Sequence, residues 1–217
     1  MMGSSEQYWN VGPALAERGY RAVAVDLPGH GDSPAAHRAD LELFASSVVE
    51  SVGVCPQLAI GHSLGGVVLA AALRNLRPSR AVYVDIPLAE ANESEVADDL
   101  AATFEAGRVE RPVEKLRVTR PAWSEEDRQV EAAAARRFDV ATAVALELSC
   151  AKKSPSQPCS AEIPSLVIRA GPSRFVSSAR AAELQSLGFE VRSVAGAGHS
   201  IWYSHFKEFM TALDGWA

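Results

Sequence analysis

The pentapeptide Gly61-His62-Ser63-Leu64-Gly65 constrains the fold of this 217-residue chain more than any other feature. A short apolar run, residues 57–60, precedes it, and a continuous helical run to about Leu76 follows. A serine on a very tight strand-to-helix turn sits in a strained backbone conformation, and side chains at its flanking positions would clash. Such a turn lifts the hydroxyl to the top of a sheet, while the helix N-terminus and the Leu64 amide can stabilise an oxyanion. The bland alternative is a chance Gly-Ser turn ahead of a helix. The apolar run before it and the alanine-rich helix after it argue against chance. Ser63 is therefore the candidate nucleophile and Leu64 the candidate oxyanion donor.

The flanking pattern extends this reading. Residues 21–27 form a short Val-containing apolar run suited to a strand buried on both faces. Asp40 can cap a helix over about 41–52, with apolar residues at Leu41, Phe44, Val48 and Val52. Residues 81–86 read as a further strand. From about Leu88 to Ser160 the character changes to successive helical segments, about 95–106, 125–138 and 140–149, with Ser124 and Asp139 as plausible caps for the last two. After a polar, Pro-bearing linker (152–160), strands at 166–169 and 190–194 resume, with a helix near 178–187 between them and a last helix from about Ser204. Strands alternating with helices predict an α/β fold: a mostly parallel sheet with helices on both faces. Residues 1–87 and 161–217 are expected to form its core. The helical block 88–160 is expected to be a lid, because inserted segments usually carry function.

Composition excludes several classes. Net charge is −6, with no basic block, which argues against a nucleic-acid partner. The start, MMGSSEQYWN, lacks the charged and apolar regions of a signal peptide. The longest apolar stretch, 67–73, is far shorter than the roughly 20 residues a membrane span takes. Cys55, Cys150 and Cys159 fit no metal-ligand spacing. A Cys150–Cys159 disulfide is conceivable, although three free thiols in a cytoplasmic protein is the favoured reading. Gly29-His30-Gly31 lacks the third glycine and the helix start of a dinucleotide loop. No cofactor or metal is expected, no membrane partner either, and a homo-oligomer is possible.

Three motifs taken together, Asp26-Leu27-Pro28-Gly29-His30-Gly31-Asp32-Ser33, Gly61-His62-Ser63-Leu64-Gly65-Gly66 and Gly196-Ala197-Gly198-His199, resemble the α/β-hydrolase superfamily, with small esterases, lactonases and haloperoxidase-like members as the nearest kinds. The resemblance covers essentially the whole chain. It implies that Ser63 is the nucleophile and that His199, after the last strand, is the general base. His62 is expected to pack beside the turn rather than react. His30 is expected to hold the Gly29–Gly31 loop, and Asp26 and Asp32 to be structural. His37 and His205 are unassigned and expected to face solvent.

Two departures from the family pattern stand out. The family commonly places its acid after the strand matching 166–169, where this chain has Ala170-Gly171-Pro172-Ser173-Arg174-Phe175-Val176 and Ser173 near the carboxylate's place. Some members use a carboxylate after the strand that follows the nucleophile helix, and Asp85 occupies that position. A bare Ser–His dyad, or an acid from elsewhere, remains open. The family also has an apolar strand and His-Gly loop before the helix matching 8–17, and that loop supplies the second oxyanion amide. Gly3-Ser4-Ser5 resembles only its tail. The strands expected at 21–27 and 57–60 would then close up or take a partner, and a lost oxyanion donor can cost on the order of 10²–10³ in rate. The leading expectation is a serine hydrolase of a small, fairly hydrophobic ester, lactone or thioester, with apolar lid helices and Trp123 shaping the acyl site. The alternatives are a catalytically degenerate, ligand-binding protein and a non-hydrolytic enzyme such as a cyclase or lyase.

Overall fold

The computed structural model of the protein describes residues 1–36, 38–86, 88, 97–152 and 160–217. In chain order, a 3₁₀ turn (Ser5–Tyr8) leads into α1 (Val11–Glu17), α2 (Leu41–Val52), β1 (Ala59–His62), α3 (Leu64–Leu76) and β2 (Ala81–Val84). Four helices follow: α4 (Ala97–Val109), α5 (Val113–Thr119), α6 (Glu125–Arg136) and α7 (Val140–Lys152). The chain then forms β3 (Ser165–Gly171), α8 (Ser178–Ser186), β4 (Glu190–Ala195), α9 (Ile201–Ser204) and α10 (Phe206–Ala212). Contacts group these into two compact units, Met1–Ser51 with Ala91–Ser154, and Val52–Glu90 with Pro155–Ala217.

The second unit holds a four-stranded parallel sheet in the order β1-β2-β3-β4. Every residue of β2 is buried, as are Leu166, Val167 and Ile168 of β3. These central strands read as unbroken apolar runs because helices cover both faces of a parallel sheet. The outer strands β1 and β4 are only partly buried. Helix α3 packs on β1 and β2, and α8 and α10 pack on β4. Trp202, Phe209 and Leu213 close the core at the C-terminal end.

In the first unit, helix caps emerge where the polar residues predict them. Asp40 Oδ1 accepts from Leu43 N at 2.8 Å at the start of α2. Ser124 Oγ accepts from Asp127 N at 3.1 Å, and the Asp127 carboxylate accepts from Ser124 N at 3.0 Å, a reciprocal cap on α6. Asp139 Oδ1 accepts from Thr142 N at 2.7 Å at the start of α7. Several buried polar groups in this unit are paired. Glu131 accepts from Arg111 Nε at 2.9 Å and from the Gln7 amide, and Trp9 Nε1 donates to Asp127 at 3.0 Å. The loop after residue 26 is held by Asp26, which accepts from Ser5 N at 2.6 Å and Asp32 N at 3.0 Å, and Arg137 donates to Asp32. His30 is buried, with Nδ1 at 2.9 Å from Pro28 O, and burial pushes its pKa down.

One expected strand does not form. Residues 21–27 have no regular structure, and residues 21–24 are exposed where burial on both faces was expected. A strand exists only through its ladder, and among the described residues none of these backbone amides donates to a backbone acceptor. The run at 57–60 forms its strand two residues later, at Ala59–His62, and pairs with β2 alone among the described residues. Within 97–152 no strand interrupts the helices, but α5 was not anticipated, nor was the break between α9 and α10 at His205.

Candidate active site

The carboxyl ends of β1, β2 and β3 and the loop after β4 bring together the residues that matter, all within the second unit. Ser63 follows β1 directly and has φ 52° and ψ −122°, a left-handed conformation that a non-glycine residue adopts only when its surroundings enforce it. Its amide donates to Val84 O at 3.1 Å, and its carbonyl accepts from Gly66 N at 2.9 Å, so the turn is tied to the next strand and to its own helix. A Cβ at Gly61 would lie 2.4 Å from Gly65 O, and one at Gly66 would lie 2.6 Å from the Ile86 side chain. A Cβ at Gly65 would meet nothing within 4 Å. The steric demand expected at both flanks of Ser63 therefore falls on Gly61 and Gly66, because the first turn of α3 crosses over Gly61 and leaves Gly65 pointing into open space. Leu64 begins α3, and the N–H groups of a helix's first turn have no acceptor within the helix.

Asp85 follows β2, is 1% exposed and has φ 47°, a second non-glycine residue in the left-handed region. Its amide donates to Ile168 O at 2.8 Å. Oδ1 accepts from Ala170 N at 3.0 Å and from Ser173 Oγ at 2.6 Å, and Oδ2 lies 2.8 Å from His199 Nδ1. Burial works to raise the Asp85 pKa, but the hydrogen bonds from His199, Ser173 and Ala170 outweigh it and hold the carboxyl below its ordinary value. An ionised carboxylate only accepts, so His199 Nδ1 carries the proton that is donated to Oδ2. In the neutral ring Nε2 then presents a lone pair.

The His199 ring packs against His62 (centroids 4.4 Å apart) and Phe175 (4.3 Å). His62 Nε2 donates to His199 O at 3.0 Å, and the His62 ring meets Trp202 edge-on at 4.8 Å. Burial first, and the neighbouring His199 second, push the His62 pKa well down, so this ring is a neutral donor that holds the His199 backbone beside the turn. His199 thus neighbours Ser63 through His62; among the described residues no hydrogen bond joins the Ser63 hydroxyl to the His199 ring. Asp26, His30 and Asp32 belong to the first unit's loop network described above. His205 is partly buried, with Nδ1 2.8 Å from Ser204 Oγ. His37 lies outside the described residues. Trp123 carries the Arg120 guanidinium 5.6 Å over its ring. Cys55 and Cys150 are free thiols, and Cys159 lies outside the described residues.

Sequence reasoning missed the roles of Ser173, Ala170 N and Phe175 around the Asp85–His199 pair. The available signal was indirect: a hydroxyl stands where a carboxylate is usual. Among the described residues, no group of three His, Cys, Asp or Glu side chains is placed to hold a metal ion, and no helix is long and apolar enough to cross a membrane. A cavity of about 710 Å³ in the first unit, lined by Gly12, Pro13, Ala16 and Tyr20 among others, carries no nucleophile–base pair.

A parallel sheet that presents a serine on a strained strand-to-helix turn, beside an aspartate–histidine pair from later strands, defines the α/β-hydrolase class. A family model described as the alpha/beta hydrolase family matches residues 2–212, and the chain belongs to that family. Over 98% of its length it is 25% identical to the sn-1-specific diacylglycerol lipase ABHD11 of Mus musculus, covering 77% of that protein. A shorter match, 44% identical over 72 residues, covers 30% of this chain and 34% of the putative protein-lysine deacylase ABHD14B of Homo sapiens. Among solved structures, an N-formylmaleamic acid deformylase from Pseudomonas putida S16 superposes with a TM-score of 0.77 at 20% identity, covering 98% of this chain and 88% of that one. An esterase from Exiguobacterium antarcticum gives 0.77 at 16% identity, with coverage of 99% and 87%. At such identities the structural likeness establishes the fold alone.

Proposed function

We propose that the protein is a serine hydrolase that cleaves a small, fairly hydrophobic ester, lactone or thioester through an acyl-enzyme. The observation that carries this reading is the 2.8 Å Asp85–His199 hydrogen bond, formed next to a serine held at positive φ. Ser63 Oγ attacks the acyl carbon while His199 Nε2 takes its proton. The carbonyl oxygen becomes an oxyanion facing the Leu64 amide at the start of α3. His199 then returns the proton to the departing alkoxide or thiolate, and Asp85 stabilises the transient imidazolium and fixes the ring tautomer. Water, deprotonated by the same histidine, attacks the acyl-enzyme and releases the acid together with Ser63. The names of the relatives, a lipase, a protein described as a putative protein-lysine deacylase, a deformylase and an esterase, all describe removal of an acyl group and support this class. Residues 88–160 are proposed to select the acyl group.

A second reading, a fold-sharing protein with little or no hydrolytic activity, is favoured by two observations. Leu64 offers a single oxyanion amide, and the segment 21–27 that would continue the sheet is unpaired among the described residues. Intact mass after incubation with a fluorophosphonate probe separates the two. A single adduct on wild type, absent in Ser63→Ala, is the expected result. Folded wild-type protein that takes up no probe would sink the hydrolase reading.

A further inference from the structure

We propose that Ser173 is a positioning residue: its hydroxyl locks the Asp85 carboxylate and the loop after β3 into one arrangement that holds His199 for catalysis. This rests on the reading of Asp85 as the partner of His199.

The argument is one of valence. Ser173 Oγ accepts from Phe175 N at 3.0 Å and from Val176 N at 2.8 Å. A hydroxyl has two acceptor sites and one proton. With both acceptor sites taken, the proton has one destination, Asp85 Oδ1, at 2.6 Å. The hydroxyl therefore has no rotational choice, and the bond it makes to the carboxylate is charge-assisted and short. On the loop side, the same two acceptor bonds fold residues 173–176 tightly, seat Val176 fully buried and set the Phe175 ring 4.3 Å from the His199 ring. Ser177 then caps α8 by accepting from Arg180 N at 3.1 Å, so the loop runs directly into a rigid element. The loop thus reaches the imidazole by two routes. One passes through Asp85 Oδ1 to the Oδ2–Nδ1 bond, and the other passes through Phe175 to the ring face.

Ser173 touches none of the reacting atoms, so the test must distinguish positioning from bulk stability. Wild type, Ser173→Ala and Ser173→Thr would be compared in three measurements: the titration of the Asp85 side-chain carbon by ¹³C NMR (assigned with Asp85→Asn), kcat and KM on p-nitrophenyl acetate, and the thermal midpoint. Removing one donor from the carboxylate is expected to raise the Asp85 titration midpoint in Ser173→Ala. The same variant is expected to lose about tenfold in kcat, with KM changed by less than about twofold, a cost in line with small misplacements of a catalytic group. Ser173→Thr keeps the hydroxyl and is expected to restore both. An Asp85 titration unchanged in Ser173→Ala would overturn the proposal, as would a rate loss that tracks a lowered thermal midpoint without rescue by threonine. If wild type turns over no ester and takes no fluorophosphonate, the hydrolase reading fails, and the carbon titration still decides whether Ser173 holds Asp85.

Discussion

Asp85 sits in a position that would be expensive for an aspartate without partners. Buried and at positive φ, it accepts from a backbone amide, a hydroxyl and an imidazole, and these bonds keep it ionised against the cost of burial. If it orients the base, Asp85→Asn leaves the side chain's shape and presents an amide that no longer fixes the Nδ1–H tautomer. The expected loss in kcat/KM is about 10³–10⁴-fold, the order seen when a triad acid becomes an amide. Steady-state kinetics check it, and probe labelling at Ser63 should slow in step. The same residue sets a pH dependence of stability. Its folded pKa lies below the ordinary 3.8, so the unfolded chain binds the proton more readily. The stabilisation is then complete above that value and is lost as pH falls through it toward the depressed folded pKa. Denaturant midpoints measured from pH 6 downward should fall more steeply for wild type than for Asp85→Asn.

At the scale of elements, the turn between β1 and α3 divides its glycines by role. Gly61 lies under the first turn of α3, and a methyl there would run into backbone that cannot move aside. Gly61→Ala is expected to cost about 1–3 kcal/mol, as overpacking does, and to disturb the serine's strained geometry. Gly65 points into open space at the second position of a helix. Gly65→Ala is therefore expected to leave stability unchanged or raise it by up to about 1 kcal/mol, through helix propensity. Thermal unfolding of the two variants makes the comparison, and equal losses would contradict the assignment. The sequence motif treats these glycines as equivalent, while the helix path over the turn makes them different. Caps were legible for the opposite reason: Asp40, Ser124 and Asp139 act on amides three residues away, so sequence neighbours suffice to place them.

Over the whole molecule, local order should follow the ladder. Strands β2 and β3 are paired on both sides and buried, whereas residues 21–27 donate no backbone hydrogen bond among the described residues. Hydrogen exchange read by mass spectrometry should show the slowest amides in β2 and β3, and near-unprotected exchange in peptides covering residues 21–26. Strong protection at 21–26 would mean that this segment finds a partner strand. The run of Val and Ala there carries the pattern of a buried strand, yet pattern states only what a segment can do once paired. Pairing depends on which other segment presents a free edge, and no property of residues 21–27 encodes that.

The sequence alone determined the parallel α/β class, the serine on its turn ahead of α3, the histidine after the last strand and the helical character of residues 97–152. The serine turn and each helical segment are written in spacing, periodicity or capping over fewer than about fifteen neighbouring residues, the range over which local sterics and helix or strand periodicity act. The parallel class is read instead from strand–helix alternation along the chain, and the histidine from the resemblance of Gly196-Ala197-Gly198-His199 to the family pattern. Only the tertiary structure decided which acid meets His199, since Asp85 and His199 lie 114 residues apart and a hydrogen bond carries no trace in the sequence between its partners. It also decided that Ser173 serves that acid, that Gly66 rather than Gly65 is held by close packing, and that residues 21–27 stay out of the sheet. All four turn on distances between segments remote in sequence, and folding fixes those by burying and pairing the elements together.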